Sequence, residues 1–209
     1  LGNADTNWQD ELYRTAIGHD HNLSLSGATA HMPYRISLGY TDQDGVIKGN
    51  NYKRFTSGLG IAPRLLDEHL LIDANIKASY EDNKKVDGGA IATAVTFDPT
   101  RPIHETYPGN VGLGYYMWMA DGAPINIADN NPVALAELLE KNSTVKRSLG
   151  NAKITYKVHG FEDFSATVNG GYDILKSNYH KLTPEFSQMT YTGNRKDGTG
   201  QDYNADVKK

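Results

Sequence analysis

The chain has 209 residues, of which 38% are hydrophobic and 22% charged, with a net charge of −4 and no cysteine. A charge this close to neutral gives no basic excess to displace counterions from phosphates, so nucleic-acid binding is not expected. The lack of cysteine excludes disulfides, thiolate metal sites and cysteine nucleophiles. The length fits one large domain or two small ones, and no run approaches the ~20 apolar residues that a membrane-spanning helix needs.

Six segments alternate apolar and polar residues with a period of two, the pattern of strands whose two faces differ. In chain order they are residues 19–27, 33–41, 51–62, 69–80, 150–159 and 164–175. In the clearest segment, Leu70, Ile72 and Ile76 fall on one face, opposite Asp73 and Lys77. The six apolar rows contain no Asp, Glu, Lys or Arg. Tyrosine and glycine are both abundant and suit strands and tight turns, so the sequence predicts an all-β fold.

The connections between these segments alternate in length. The short links are residues 28–32, 63–68 and 160–163, and the longer segments are residues 42–50, 83–149 and the tail 176–209. Alternate links of an antiparallel meander lie at opposite ends of the sheet. The sequence therefore predicts an up-and-down meander of about six long strands with every long loop at one end.

Two architectures fit this pattern. A soluble β-sandwich has one core face and one wet face, with no rule for its loop lengths. An outer-membrane β-barrel has an apolar row against lipid, short periplasmic turns and long extracellular loops. The segments are about 9–12 residues long, close to the ~9–11 that cross a bilayer at a tilt. Aromatic residues near the strand ends, including Tyr34, Tyr40, Tyr80, Phe164 and Tyr172, fit interfacial girdles, so the pattern favours the barrel.

The segment 83–149 is long enough to act as a lid or a binding surface. Within it, Asn131 and Pro132 predict the start of one short helix, with Asn131 as N-cap and Pro132 at the first helical position. Aromatic faces stack on sugar rings, which points to a cluster of substrate-binding residues. The candidates are Tyr107, Tyr115, Tyr116 and Trp118. The competing interpretation is that these side chains pack the long loop together.

No pattern in the sequence points to catalysis or to a resident cofactor. The run 42–45 (DQDG) departs from a calcium loop in the position of its glycine and of its last ligand. His19 and His21 share one strand face, but no third metal ligand is identifiable. Nucleophile elbows, phosphate loops and His-Glu-x-x-His are absent from the sequence. We therefore expect no enzyme activity, no cofactor and no metal site.

Six runs between about residues 5 and 180 carry a resemblance to a known family. They are 6–16 (TNWQDELYRTA), 21–27 (HNLSLSG), 34–45 (YRISLGYTDQDG), 98–102 (DPTRP), 131–135 (NPVAL) and 169–173 (NGGYD). In this order they resemble the early barrel of SusC/RagA-type TonB-linked outer-membrane transporters, also called TonB-dependent receptors.

The resemblance implies a place in the outer membrane of a Gram-negative, Bacteroidetes-type bacterium. It implies a parent barrel of about 22 strands with a plug domain. It also implies import of an oligosaccharide or a peptide, energised by the TonB complex through the plug. A surface lipoprotein of the SusD type would cover the barrel as a lid, and outer-membrane lipid would surround it.

We expect residues 1–209 to form one partial barrel domain, because about six strands cannot close and small barrels need about eight. The chain starts at Leu1 and shows no leader, plug or closing strand, so we expect a piece of a transporter. Its open edges and apolar rows would favour self-association of the isolated piece, or cover by the 83–149 loop. The alternative function is that of a soluble carbohydrate-binding β-sandwich module.

Overall fold

A computed structural model describes residues 2–192 and 198–209, and one large antiparallel sheet dominates it. The strands are β1 (Gly18–Thr29), β2 (Met32–Asp44), β3 (Asn51–Ile61), β4 (Arg64–Leu65), β5 (Leu70–Lys84), β6 (Met119–Ala120), β7 (Ala123–Pro124), β8 (Glu140–Val158), β9 (Phe161–Thr183) and β10 (Gln201–Lys208). The main sheet runs β1-β2-β3-β5-β8-β9-β10, with β4 paired to β5, while β6 and β7 pair separately. The predicted meander is therefore confirmed. The described strands make no Greek-key crossing, which argues against the sandwich.

The connections fall at two ends of this sheet. We call the end with residues 30–31, 62–69 and 159–160 the short-turn end. The other end, with residues 45–50, 85–139, 184–192 and 198–200, we call the long-connection end. The prediction that short and long links alternate strictly is wrong for the links 45–50 and 62–69. Strand β2 continues to Asp44 and so shortens the first long link, whereas the 62–69 link is longer than predicted and folds back on β5 through β4. The two longest connections nevertheless share one end.

Two strands extend far beyond their predicted bounds, and one further strand was not predicted. Strand β8 begins at Glu140 rather than at residue 150, and β9 continues to Thr183 rather than residue 175. Strand β10 lies in the tail that was predicted as a loop. The apolar-polar alternation fades in these extensions, so periodicity did not reveal them, but paired neighbours continue the hydrogen-bond ladder. Residues 193–197 of the predicted tail lie outside the described residues.

The two faces of the main sheet differ as the alternation predicts. We call the face that carries Leu23 and Ile76 the apolar face and the other the polar face. Leu23 and Ile76 are 68% and 48% exposed, and register aligns such side chains in rows across the strands, as for Ile36, Leu59 and Ile76. The expectation that the 83–149 loop covers these rows is wrong, because that segment packs around its own core.

Residues 2–17, 85–139 and 184–192 fold together at the long-connection end, and we call them the loop module. It contains helices α1 (Trp8–Leu12), α2 (Gly88–Thr96) and α3 (Pro132–Leu138). Its core consists of Trp8, Leu12, Ala90, Ala94, Phe97, Tyr115, Tyr116, Val133, Ala134 and Leu135. Helix α3 was predicted, whereas α1 and α2 were missed. None of the helices in the described ranges is long and apolar enough to cross a membrane.

Candidate functional site

The four aromatic residues singled out in the sequence lie together in the loop module. Tyr115 and Tyr116 are 9% and 7% exposed and belong to its core. Trp118 packs against that core and stays partly exposed, as does Tyr107. The packing interpretation thus accounts for Tyr115 and Tyr116, while Trp118 and Tyr107 keep accessible edges. A substrate-binding role for the four residues stays a prediction.

Tyr107 fastens the chain reversal that precedes the cluster. Residues Pro108–Gly114 form tight turns rather than a regular helix, with left-handed backbone at Gly112 (φ 79°). This reversal brings the Tyr107 hydroxyl 3.1 Å from the Met117 amide, which donates to it. The single hydroxyl proton has two acceptors within 2.9 Å, the Met117 carbonyl and a Glu105 carboxylate oxygen. Burial raises the pKa of Tyr107 to about 12, so the hydroxyl keeps its proton near neutral pH.

Tyr115 links the cluster to helix α3. Its hydroxyl donates a hydrogen bond to the Glu137 carboxylate, and its ring lies 4.9 Å from that of His104 between centroids. Burial, with added repulsion from the Glu137 charge, raises the pKa of Tyr115. The neutral phenol therefore acts as a hydrogen-bond donor that holds the aromatic segment against α3.

Trp118 and Arg101 form the part of the cluster that is suited to contact a ligand. The Arg101 guanidinium lies 4.8 Å from the Trp118 ring centroid and 5.6 Å from that of Tyr116. Asp98 fixes the guanidinium through a 3.2 Å contact. Hydrogen bonds from the Thr100 amide and hydroxyl hold the pKa of Asp98 below its usual value, so this carboxylate stays charged. The result is an oriented cation stacked on a partly exposed indole.

Asn131 is the buried polar centre of the loop module. Its side-chain oxygen accepts from the Val133 and Ala134 amides at 3.0 and 3.2 Å, which confirms the predicted N-cap of α3. Its side-chain amide donates to the Ile103 and Tyr116 carbonyls at 2.9 and 3.2 Å. Its backbone amide donates to Gln188 at 2.7 Å. The sequence signalled the cap, but nothing in it signalled these long-range contacts.

The polar face of the sheet holds a second set of functional groups. Arg147 on β8 and Asp173 on β9 form a two-point ion pair, with 2.9 Å between Nε and Oδ1. Nearby, a depression of about 570 Å³ is lined by charged side chains that include Arg54, Lys77 and Glu81, together with apolar ones such as Leu149. The sequence placed charges on this face without revealing a site. Register alone brings them together, because neighbouring strands supply them.

The described residues contain no group of three or more His, Cys, Asp or Glu side chains arranged to hold a metal ion. His19 and His21, which share a strand face, lie 5.2 Å apart between ring centroids, and the Tyr40 ring lies 6.0 Å from that of His19. The aromatic cluster of the loop module and the depression on the polar face instead offer aromatic faces, oriented cations and hydrogen-bonding groups, which are suited to ligand recognition.

The sheet and loop module together match part of known transporter structures, although no protein-family model matches the chain. The structure of the RagAB peptide transporter superposes with a TM-score of 0.64 at 19% identity, over 93% of this chain and 21% of that one. The 'closed-closed' state of the RagAB peptide importer gives a TM-score of 0.60 at 20% identity, over 99% of this chain and 23% of that one. These likenesses establish the fold.

Sequence relatives decide the family. TonB-dependent receptor SusC of Bacteroides thetaiotaomicron is 34% identical in an alignment of 186 positions that covers 82% of this chain and 18% of that receptor. The chain is a segment of a SusC/RagA-type TonB-dependent receptor. TonB-dependent receptor P26 of Formosa agariphila is 25% identical over 177 residues, 83% of the chain and 17% of that receptor.

This receptor segment spans less than about one fifth of the two curated relatives described above. The family consists of TonB-dependent transporters of the Bacteroidetes outer membrane rather than enzymes, which confirms the predicted class and location. The resemblance seen in the six sequence runs is likewise confirmed.

Proposed function

We propose that this segment supplies part of the barrel wall and part of the extracellular ligand-contacting surface of an importer for oligosaccharides or peptides. The observation that carries the proposal is the loop module, a folded unit with its own core at the long-connection end of the sheet. Outer-membrane barrels place their long loops outside the cell. A folded module there is positioned to meet a nutrient before it enters the barrel.

The apolar face has the height expected of a lipid-facing wall. On β5 its side chains run from Leu70 to Tyr80, which is roughly 33 Å along the strand at about 3.3 Å per residue. A strand tilt of about 40° reduces this to about 25 Å, the height of the apolar band in outer-membrane barrels. Outer-membrane lipid is therefore the partner that we assign to this face. An isolated segment without lipid would expose the same rows and self-associate.

Trp118 and Arg101 are the groups to which we assign nutrient contact. An indole face stacks on the apolar side of a sugar ring or on a peptide side chain, and the guanidinium binds carboxylates or carbonyl oxygens. Tyr115 and Tyr116 support this surface from the core, and Tyr107 holds its chain reversal. A SusD-like lipoprotein would close over the loop module, and the TonB complex would act through a plug domain outside the described residues.

Binding measurements on the intact receptor, purified with its lipoprotein, test this role. A panel of oligosaccharides and short peptides is titrated by calorimetry against wild type and Trp118→Ala. Stacking of a ring on an aromatic side chain contributes on the order of 1–3 kcal/mol to binding. We therefore expect Trp118→Ala to bind the ligand that the wild type selects about tenfold more weakly. The selected ligand also decides between oligosaccharide and peptide.

Tyr116→Phe is the matched control, because it keeps the buried ring in the core. We expect its affinity to equal that of wild type. Unchanged affinity in both Trp118→Ala and Arg101→Gln would remove the proposed contact surface, provided that both variants bind the lipoprotein normally.

A further inference from the structure

Three lysines lie side by side on the apolar face, on three neighbouring strands. Lys146 on β8 is directly opposite Lys176 on β9, and Lys176 is directly opposite Lys208 on β10. Residues directly opposite across antiparallel strands have their Cβ atoms about 4.5–5.5 Å apart. All three side chains are exposed. The register therefore concentrates three positive charges in one short row.

Such a row is unfavourable unless an anion joins it, because like charges directly opposite each other destabilise a sheet. In the part of the chain that the structure describes, none of the three ammonium groups forms an ion pair. Lys146 lies over the Tyr80 ring at 5.7 Å, a contact with an aromatic face. Asp206, one row further from the apolar band, accepts a hydrogen bond from Asn178 at 2.7 Å.

The row also marks the boundary between apolar and polar surface. Continuing across the sheet, Lys146 is opposite Tyr80, Tyr80 is opposite Phe55, and Phe55 is opposite Tyr40. Aromatic rows of this kind lie at the level of the lipid headgroups. On the band side the next row includes Ser148 and Ile174, and on the other side the rows are polar. The lysines therefore lie at headgroup depth, on the side of the apolar band that faces the long-connection end.

We propose that Lys146, Lys176 and Lys208 bind the phosphate groups of a phosphorylated glycolipid in the outer leaflet. Lysine is a point-charge ligand for phosphate, and anionic headgroups attract basic side chains at a membrane surface. The occupant is a lipid rather than free phosphate, because the apolar band directly below the row receives acyl chains. This site rests on the proposed lipid-facing role of the apolar face. It shares no residue with the proposed nutrient surface around Trp118 and Arg101, so the two can be tested separately.

The test uses the intact receptor, purified in detergent and depleted of lipid, with lipid A as the probe. Lipid A and its dephosphorylated form are titrated against wild type and a Lys146→Gln, Lys176→Gln, Lys208→Gln triple variant, with binding read by native mass spectrometry. We expect wild type to prefer the phosphorylated form. Each lysine removed should weaken its binding about fivefold.

The matched control removes three lysines from the polar face of the same sheet, as Lys77→Gln, Lys153→Gln and Lys157→Gln. This control changes the net charge equally, and it should bind lipid A as wild type does. Equal binding by wild type and the apolar-face variant would overturn the proposal, as would equal binding of dephosphorylated lipid A by wild type. If the triple variant fails to fold, Lys176→Gln alone is measured, and unchanged binding there also contradicts the proposal. A changed oligomeric state with unchanged lipid binding would assign the row to protein contact instead.

Discussion

A single buried residue, Asn131, links helix α3 to three other positions of the loop module. Its side chain caps α3 and donates to the Ile103 and Tyr116 carbonyls, and its backbone amide donates to the side-chain oxygen of Gln188 in the 184–192 stretch. Buried amides of this kind are costly to lose, because their partners stay buried without a hydrogen bond. The position of the aromatic cluster therefore depends on a residue that is itself fully buried.

Replacing Asn131 by alanine should destabilise the loop module by about 2–4 kcal/mol. About 1 kcal/mol comes from the lost helix cap, and the remainder from the Ile103 and Tyr116 carbonyls that lose their partner. Hydrogen exchange of the intact receptor, followed by mass spectrometry, should show faster exchange across α3 and the aromatic cluster. Asn126→Ala, in the same connection, should stay within about 0.5 kcal/mol of wild type. Equal protection in Asn131→Ala and wild type would contradict this account.

Asp87 makes the start of α2 sensitive to acid. Burial alone would raise the pKa of this carboxyl. Hydrogen bonds from Lys141 and from the Gly89 amide together outweigh burial, so the pKa of Asp87 lies below its usual value. A carboxyl with a lowered folded-state pKa stabilises the fold above its unfolded pKa of about 4, and this stabilisation is lost as pH falls through the lower value. We expect the loop module to lose stability below about pH 4.

Asp87→Asn separates the charge from the cap, because asparagine caps helices as well as aspartate does. At neutral pH we expect this variant to be less stable than wild type by no more than about 1 kcal/mol, given that the ion pair is partly solvated. The difference should vanish near pH 2 in thermal unfolding followed by tryptophan fluorescence. An Asp121→Asn variant, altered at an exposed turn, should follow wild type throughout. A gap between Asp87→Asn and wild type that persists at pH 2 would show that charge is not the cause.

At the scale of elements, sheet and loop module differ in what the sequence could predict. The alternation of Leu70, Ile72 and Ile76 with polar neighbours follows from contact with two different environments, so it is visible without a structure. Helix α2 is hidden, because its glycines and β-branched residues disfavour a helix, and it forms because Asp87 caps it and Ala90 packs inside. Strand β10 is hidden because its apolar residues, such as Val207, lie on the polar face above the band.

The aromatic site shows the same division. The sequence predicts that Tyr115, Tyr116 and Trp118 form a cluster, because they are near neighbours in the chain. It could not show that Arg101 would stack on Trp118, nor that Glu137 would hold Tyr115, because both depend on how distant stretches fold back. Long-range contacts of this type leave no periodic signal.

Strand pairing between β8 and β9 depends on a glycine that lies under an aromatic ring. Gly150 is opposite Tyr172, whose hydroxyl reaches over to Ser148 at 3.1 Å. A Cβ at Gly150 would lie 2.6 Å from the Tyr172 ring and 3.2 Å from the Asn75 carbonyl oxygen. We expect Gly150→Ala to displace the ring and to cost about 1–3 kcal/mol in urea unfolding of the folded receptor.

Gly170→Ala is the matched control for this change. Gly170 is on β9 and lies on the same face of the sheet as Gly150. Nothing lies within 4 Å of a Cβ added at Gly170. Its stability should equal or slightly exceed that of wild type, because alanine restricts the unfolded chain. Similar losses for both glycines would mean that the Tyr172 contact is not the cause.

At the scale of the whole molecule, the segment has two separate apolar systems. The loop module buries its apolar side chains in a water-excluding core, as a soluble domain does. The sheet instead leaves Leu23, Ile36 and Ile76 exposed on one face, where only a surrounding apolar medium can cover them. A charged substitution should therefore destabilise the apolar face of a strand and leave its polar face largely unaffected.

Ile76→Arg and Asn75→Arg test this at adjacent positions of β5. Ile76 lies within the apolar band, opposite Leu59 and Gly150, whereas Asn75 lies on the polar face. An arginine near the bilayer midplane costs about 2–4 kcal/mol in an outer-membrane barrel, and a polar-face arginine stays in a polar environment. Unfolding in phospholipid vesicles, followed by the gel mobility of the folded form, should show the loss for Ile76→Arg alone. Equal losses for both would contradict the assignment of faces, and a loss confined to Asn75→Arg would reverse it.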